Sequence, residues 1–326
     1  MKPETIIAPD HSEAQPYEYL SDTSPADKPW DIHREQAEKV ERFFLESDEG
    51  NHRKQACRVH QCANQLEFGW MLTSETGEVK LKLKTAHFCR VRTCPVCQWR
   101  RSLMWAARFH NALPRIEADH PKIRWIFVTL TVRNCSVGDL RATLKLMNAG
   151  WDRLARLKAF PGQGFVKGVE VTRGSDGSAH PHIHALIAVT SGYFTGKYYI
   201  KQTGWQEMWR KSMRLDYAPV VDIRAIKPGQ QAIRDALKET LKYTVKPQDL
   251  SADKCWFLAV SDALHKTRAI STGGIVKQYL KDEDEDDLVH VDDENGQEGR
   301  NTGGVRFDWR GGEKTSPRYA RKRKDC

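Results

Sequence analysis

Apolar positions along this chain change period several times, and each period implies an element. Ile32, Ala37, Val40 and Phe44 recur at helical spacing over 31–47, and Leu103, Ala106, Ala107 and Phe109 do so over 99–113. The run RWIFVTLTV at 124–132 is β-branched and aromatic, which predicts a central strand. A helical stripe follows (Leu140, Leu144, Met147, Trp151, Leu154), then a second strand over 165–172. Turn chemistry at Gly174-Ser175-Asp176-Gly177-Ser178 folds that strand back on a third, HPHIHALIAV, as a hairpin. Trp205, Met208, Trp209 and Met213 mark another helix, and APVVDIRAI at 218–226 another strand. Ile233, Ala236, Leu237, Thr240, Leu241 and Thr244 form the buried stripe of a helix carried through to residue 246. The expected fold is α+β: a central antiparallel sheet with helices packed on one face, preceded by a small cysteine module.

Organisation follows from these elements. Residues 1–54 read as a disordered tail with a short helix, 55–100 as the cysteine-rich module, and 101–280 as the main domain. Residues 281–326 read as a second disordered tail, first acidic (Asp282 to Asp287, then Asp292 to Glu294) and then basic (RYARKRK). The basic end reads equally as a solvated tail or as a phosphate-binding arm. Of 326 residues 39% are hydrophobic, enough for a core, and no apolar run reaches the roughly 18 residues of a membrane span. The polar, acidic N-terminal stretch is unlike a secretory signal, so a cytoplasmic protein is expected. A net charge of +9 favours a polyanionic partner.

Two clusters carry candidate chemistry. Five of eight cysteines lie between Cys57 and Cys97, and the spacing Cys89-x4-Cys94-Pro95-Val96-Cys97 fits a zinc knuckle. Zinc takes four tetrahedral ligands, and the best set is Cys62, Cys89, Cys94 and Cys97, with Cys57, His60 and His87 as substitutes. In the second cluster His180, His182 and His184 alternate along a strand, so all three project from one face. Imidazoles at i and i+2 sit about 6–7 Å apart at their backbones, close enough to share a divalent ion. Glu170, alternating with Val169 and Val171, points the same way if the hairpin forms, completing an open His/His/Glu site. Further on, Glu239 and Tyr243 stand four apart on the expected helix, with Lys242 and Lys246 around the phenol. Arg100 and Arg101 decorate the helix over 99–113, where they could meet phosphates.

Taken in order, the strand Phe127-Val128-Thr129-Leu130-Thr131, the histidine strand HPHIHALIAV and the segment ETLKYTVK resemble the plasmid rolling-circle replication initiators with a single catalytic tyrosine, of the HUH endonuclease superfamily. The segment FCRVRTCPVCQWRRS resembles their cysteine-rich region, and the likeness covers about 55–280. The resemblance implies that Tyr243 is the nicking nucleophile and that His182 and His184 hold Mg2+ or Mn2+, with Glu170 as third ligand and His180 behind them. It implies that Glu239 is the acid/base that lets water replace a second tyrosine at termination. It further implies nicking of origin DNA, single-stranded or extruded as a hairpin, through a 5′-phosphotyrosine that leaves a 3′-hydroxyl primer, with a helicase and a polymerase as partners. Three other readings compete: a transposase or mobilisation relaxase with the same chemistry, a small-molecule metal hydrolase, and a non-catalytic zinc-containing DNA-binding regulator.

Overall fold

The computed structural model describes residues 17–72, 79–241, 244–280, 288–289, 301–311 and 317–322. In chain order the elements begin with β1 (Tyr17–Tyr19), α1 (Leu20–Thr23), α2 (Lys28–Leu45) and α3 (Gly50–Gln61). Next come β2 (Gln65–Leu72), β3 (Val79–Ala86), α4 (Pro95–Asp119), β4 (Ile123–Thr131) and α5 (Leu140–Ala155). The hairpin β5 (Gly162–Arg173) and β6 (Ala179–Thr190) leads to α6 (Gln202–Met213), β7 (Val221–Ala225) and α7 (Gln230–Thr240). The remainder is α8 (Pro247–Ala252), α9 (Lys254–Leu264), β8 (Ile270–Gly273), α10 (Gly274–Tyr279), β9 (Asn301–Arg310) and β10 (Arg318–Lys322).

These elements make an α+β fold with two antiparallel five-stranded sheets, ordered β7-β4-β6-β5-β8 and β1-β10-β9-β2-β3. In the first sheet alternate residues serve opposite faces. Ile126, Val128, Leu130, Val169, Val171, Ile183, Ala185 and Ile187 pack with Leu144, Met147 and Trp151 of α5 and with Trp205 and Trp209 of α6. The other face is covered at one end only. There Trp125, Val166, Leu186 and Ala188 meet Phe109, Leu113 and Ile116 of α4 and Ile233, Leu237 and Leu241 of α7. Beyond that cover the same face carries the histidines.

Three expectations are corrected. The segment before residue 54 is not a tail over its described part: α2 buries Trp30, Ala37, Val40 and Phe44 in the main core, and Arg34 donates to His60 O and Asn64 Oδ1. The C-terminal region is not disordered throughout either. β9 pairs with β2, and β10 joins β9 to β1, because Val305 and Phe307 alternate with exposed residues and need a buried face. Arg318 and Arg321 of the supposed basic arm sit in β10, paired with Asp22 and Glu18. Both acidic runs lie outside the described residues. Finally, the helix expected to run to residue 246 stops at Thr240, with Leu241 as its C-cap.

Candidate active site

The hairpin register sets the site. Across three strands, Thr131, His182 and Glu170 form one rank, and Thr129, His184 and Gly168 the next. The Nε2 atoms of His182 and His184 each lie 3.1 Å from Glu170 Oε2, and all three side chains are buried. Each ring is steered from behind. His182 Nδ1 donates to the His180 carbonyl at 3.2 Å, and His184 Nδ1 sits 3.1 Å from Thr129 Oγ1. Phe127 stacks on His184 with centroids 5.4 Å apart. His180 contributes through its carbonyl, while its own ring is held by Asn134 Oδ1 at 2.7 Å.

This donor set fits a divalent cation. A neutral imidazole that donates from Nδ1 presents only a lone pair at Nε2, and the facing carboxylate oxygen is also an acceptor. Three acceptors converging on one point call for a cation or a second ring proton. Burial alone would raise the Glu170 carboxyl, but the hydrogen bonds and charges of His182 and His184 outweigh it and hold the group well below the usual carboxylate range. Burial, reinforced by the charge of His182, lowers His180.

Tyr243 and Lys242 lie outside the described residues. Their neighbours in sequence are anchored beside the site. Gly168 lies under the Thr240 carbonyl at the end of α7, and Val171 N–H donates to Thr244 O at 2.7 Å. Val245 then makes a parallel bridge to Val171, one residue beyond Glu170. Glu239 is half-buried in the last turn of α7, and Lys246 is exposed at the N-cap of α8. The helix on which Glu239 and Tyr243 were expected to stack four apart ends at Thr240, before Tyr243.

The cysteine cluster is complete. Cys62 ends α3, Cys89 follows β3, and Cys94 and Cys97 open α4 as its N-cap and third residue. Sulfur–sulfur distances are 3.6 Å for Cys62–Cys97 and Cys89–Cys97, and 3.7 Å for Cys62–Cys94. Four thiolates about 2.3 Å from a tetrahedral zinc would stand roughly 3.8 Å apart, so the cluster is consistent with a zinc module. Backbone N–H groups of Arg90 and Val91 point at Cys97 Sγ and Cys89 Sγ. Cys57, His60 and His87 are exposed and outside the cluster.

Of the arginines expected at phosphates, Arg100 is not available. It is buried, donates to the carbonyls of Leu288 and Val289, and lies over Trp30 and Trp99. Arg101 is half-buried at a cleft. Thr129 and Asn134 escaped the sequence reading. Thr129 was within reach of it, because strand alternation and the pairing of β4 with β6 fix its face. Arg92 and Gln98 were also missed: Arg92 donates to Thr244 Oγ1 at 2.9 Å, and Gln98 Oε1 accepts from Val245 N–H at 3.4 Å. Both tie the cysteine knuckle to the segment after Tyr243, and nothing in the local sequence signals such a contact.

A family model described as replication protein matches residues 80–319, most of the chain. The chain belongs to the plasmid rolling-circle replication initiator family. It is 34% identical over 256 residues to a "Protein rep" of Streptococcus pneumoniae serotype 2, covering 75% of this chain and 78% of the relative. Similar proteins named "Protein rep" occur in Bacillus amyloliquefaciens (37% over 273 residues; 74% and 78% covered) and Bacillus sp (38% over 268; 73% and 85%). No solved structure matches. In this initiator the matched span holds the histidine strand, the segment around Tyr243 and three of the four clustered cysteines, with Cys62 just upstream. No helix among the described residues is long and apolar enough to cross a membrane.

Proposed function

We propose that this initiator nicks one strand of its plasmid origin in the cytoplasm, using Tyr243 as nucleophile beside a divalent-metal site made of Glu170, His182 and His184. The observation that carries this reading is the convergence of the two His Nε2 atoms on Glu170 Oε2, on the strand whose edge binds the residues flanking Tyr243. A bound Mg2+ or Mn2+ would supply Lewis acidity to a non-bridging phosphate oxygen. The Tyr243 oxygen attacks phosphorus and gives up its proton, a Tyr–O–P bond forms, and the bond from phosphorus to the 3′ oxygen breaks. That oxygen takes a proton and becomes a 3′-hydroxyl able to prime a polymerase, with a helicase opening the duplex ahead. The 5′-phosphotyrosine conserves the ester for rejoining. Thr129 and the His180 carbonyl keep both imidazoles aimed, so that little reorganisation accompanies the reaction. Glu239 activates the water that ends a round, Lys246 and Lys242 attract the strand, and zinc on Cys62, Cys89, Cys94 and Cys97 holds the knuckle against the Tyr243 segment.

The test is a covalent adduct. Supercoiled DNA carrying the cognate origin, incubated with protein and Mg2+, should yield a 5′-linked adduct that peptide mapping assigns to Tyr243. Tyr243→Phe should abolish the adduct while origin binding persists, and leaving out Mg2+ should mimic it. An adduct on another tyrosine, such as the exposed Tyr198 or Tyr199, would remove Tyr243 from the reaction.

A further inference from the structure

A cleft of about 610 Å3 opens between the cysteine knuckle and the stretch joining α9 to α10. Arg58, Arg90, Arg101, Lys266, Arg268 and Lys277 line it, and Trp105 supplies an aromatic wall. Among its described lining residues there is no carboxylate. Arg92, Arg101, Ala269 and Ile270 also line a narrower recess shared with Gly168, Leu241 and Thr244, so the cleft leads inward to the residues that flank Tyr243.

We propose that this cleft grips the sugar-phosphate backbone of a single DNA strand next to the scissile phosphate; the placement beside that phosphate rests on the nicking reading above. One observation beyond the charge favours an anionic strand. Among the described residues, Arg92 Nε and Arg101 Nη1 are buried without a hydrogen-bond partner. Unpaired buried donors of this kind are costly unless a ligand fills them. Burial above all, with the adjacent charge of Arg101 as the smaller cause, lowers Arg92 to about 9. Lining of this kind, basic residues with one aromatic, fits a strand tracked by charge and stacking.

The experiment uses the full chain with no added Mg2+ or Mn2+, so that no cleavage intervenes and the zinc module is kept, and a fluorescein-labelled oligothymidylate about 20 nucleotides long, read by anisotropy across a salt titration. The triple variant Arg90→Ala, Arg268→Ala, Lys277→Ala should make the slope of log K against log salt shallower by about 2 and weaken low-salt binding by roughly ten- to a hundredfold. The pair Lys145→Ala, Lys158→Ala, exposed on and just after α5, should change neither. Zinc content and circular dichroism check that the triple variant is folded, and single substitutions replace it if it is not. An unchanged slope, or an equal change in the control pair, overturns the proposal. So does displacement of the probe by duplex DNA or by inorganic phosphate as readily as by unlabelled strand. The two readings separate cleanly. A wild type that binds as described but forms no adduct with metal and origin overturns the nicking and leaves strand binding by the cleft. Adduct formation with an unaltered salt slope in the triple variant overturns the cleft and leaves the nicking.

Discussion

Gly168 is the point where the end of α7 touches the sheet, and replacing it tests how closely the Tyr243 segment is tied to the metal ligands. A methyl group there would overlap the Thr240 carbonyl oxygen and come within 3.3 Å of its carbonyl carbon. Carbon and oxygen approach no closer than roughly 3.3 Å in ordinary contacts, so α7 and β5 must part by on the order of 1 Å. Neither partner is a flexible side chain, since one is helix backbone and the other a strand paired on both edges with His184 and Ile270. Overpacking of this kind costs about 1–3 kcal/mol. A displacement of about 1 Å in a reacting group can cost about a hundredfold in rate. Gly168→Ala should therefore lower the unfolding free energy measured in urea by that amount and reduce adduct formation roughly a hundredfold, with divalent-ion binding nearly intact. Adduct formation is timed by quenched gel assay and ion binding by Mn2+ titration. Gly50→Ala is the control, because nothing lies within 4 Å of a Cβ at that position. A Gly168→Ala protein as stable and as active as wild type would show that the end of α7 is free of β5, and the positioning account of Tyr243 would fall.

Other outcomes follow from the same geometry. Cys94→Ser should abolish one tightly bound zinc per chain by elemental analysis and lower the thermal midpoint, since structural zinc contributes directly to folding; a wild type purified without chelator and free of zinc refutes it. Glu239→Gln should leave the first adduct near normal yet slow its hydrolytic release and lengthen replication products in cells, whereas equal loss of both steps would put the carboxylate in the first transesterification. Lys167 is buried beside Asn148 and lowered by burial to about 8, so between about pH 8 and pH 10.5 the unfolded chain binds the extra proton and stability must rise with pH. Lys167→Met should remove that rise in urea midpoints measured at each end of the window, and an identical slope in both proteins would show that the lysine titrates normally.

Much of the histidine-bearing sheet was legible because its signals are local. Alternation in β4, β5 and β6, the turn at 174–178 and the cysteine spacing each operate within about a dozen residues, and the ranks of Thr129, His184 and Gly168 follow once the strands pair. The end of α7 was not legible. KETLKYTVK keeps a helical stripe, and the helix yields only because the edge of β5 beyond Val169 offers Val171 N–H as a partner for Thr244. Arg100 misled for a similar reason: its helix is covered on the side where Trp30 and Trp99 meet, so a residue that looks solvated in sequence is enclosed. Strand β9 did carry a period of two in Val305, Phe307 and Trp309, masked by glycines, charges and the acidic run before it. Its buried face exists only when β2 lies alongside.

That last pairing has a consequence for how the molecule comes into being. Gln65 and Asp308 are neighbours in the second sheet although 243 positions separate them along the chain. On a ribosome the β2–β3 hairpin, and with it Cys62 and Cys89, emerges long before the strand that seals its open edge. Closure over so long a loop is slow, and a hairpin awaiting its partner presents unpaired backbone to other chains. The sheet that carries the histidines, built from hairpins and near neighbours, can fold first. Newly made protein should thus pass through an interval in which the histidine-bearing sheet is formed and the edge of β2 is still open, making maturation of the initiator, and not only its synthesis, a step that delays the first round of plasmid copying.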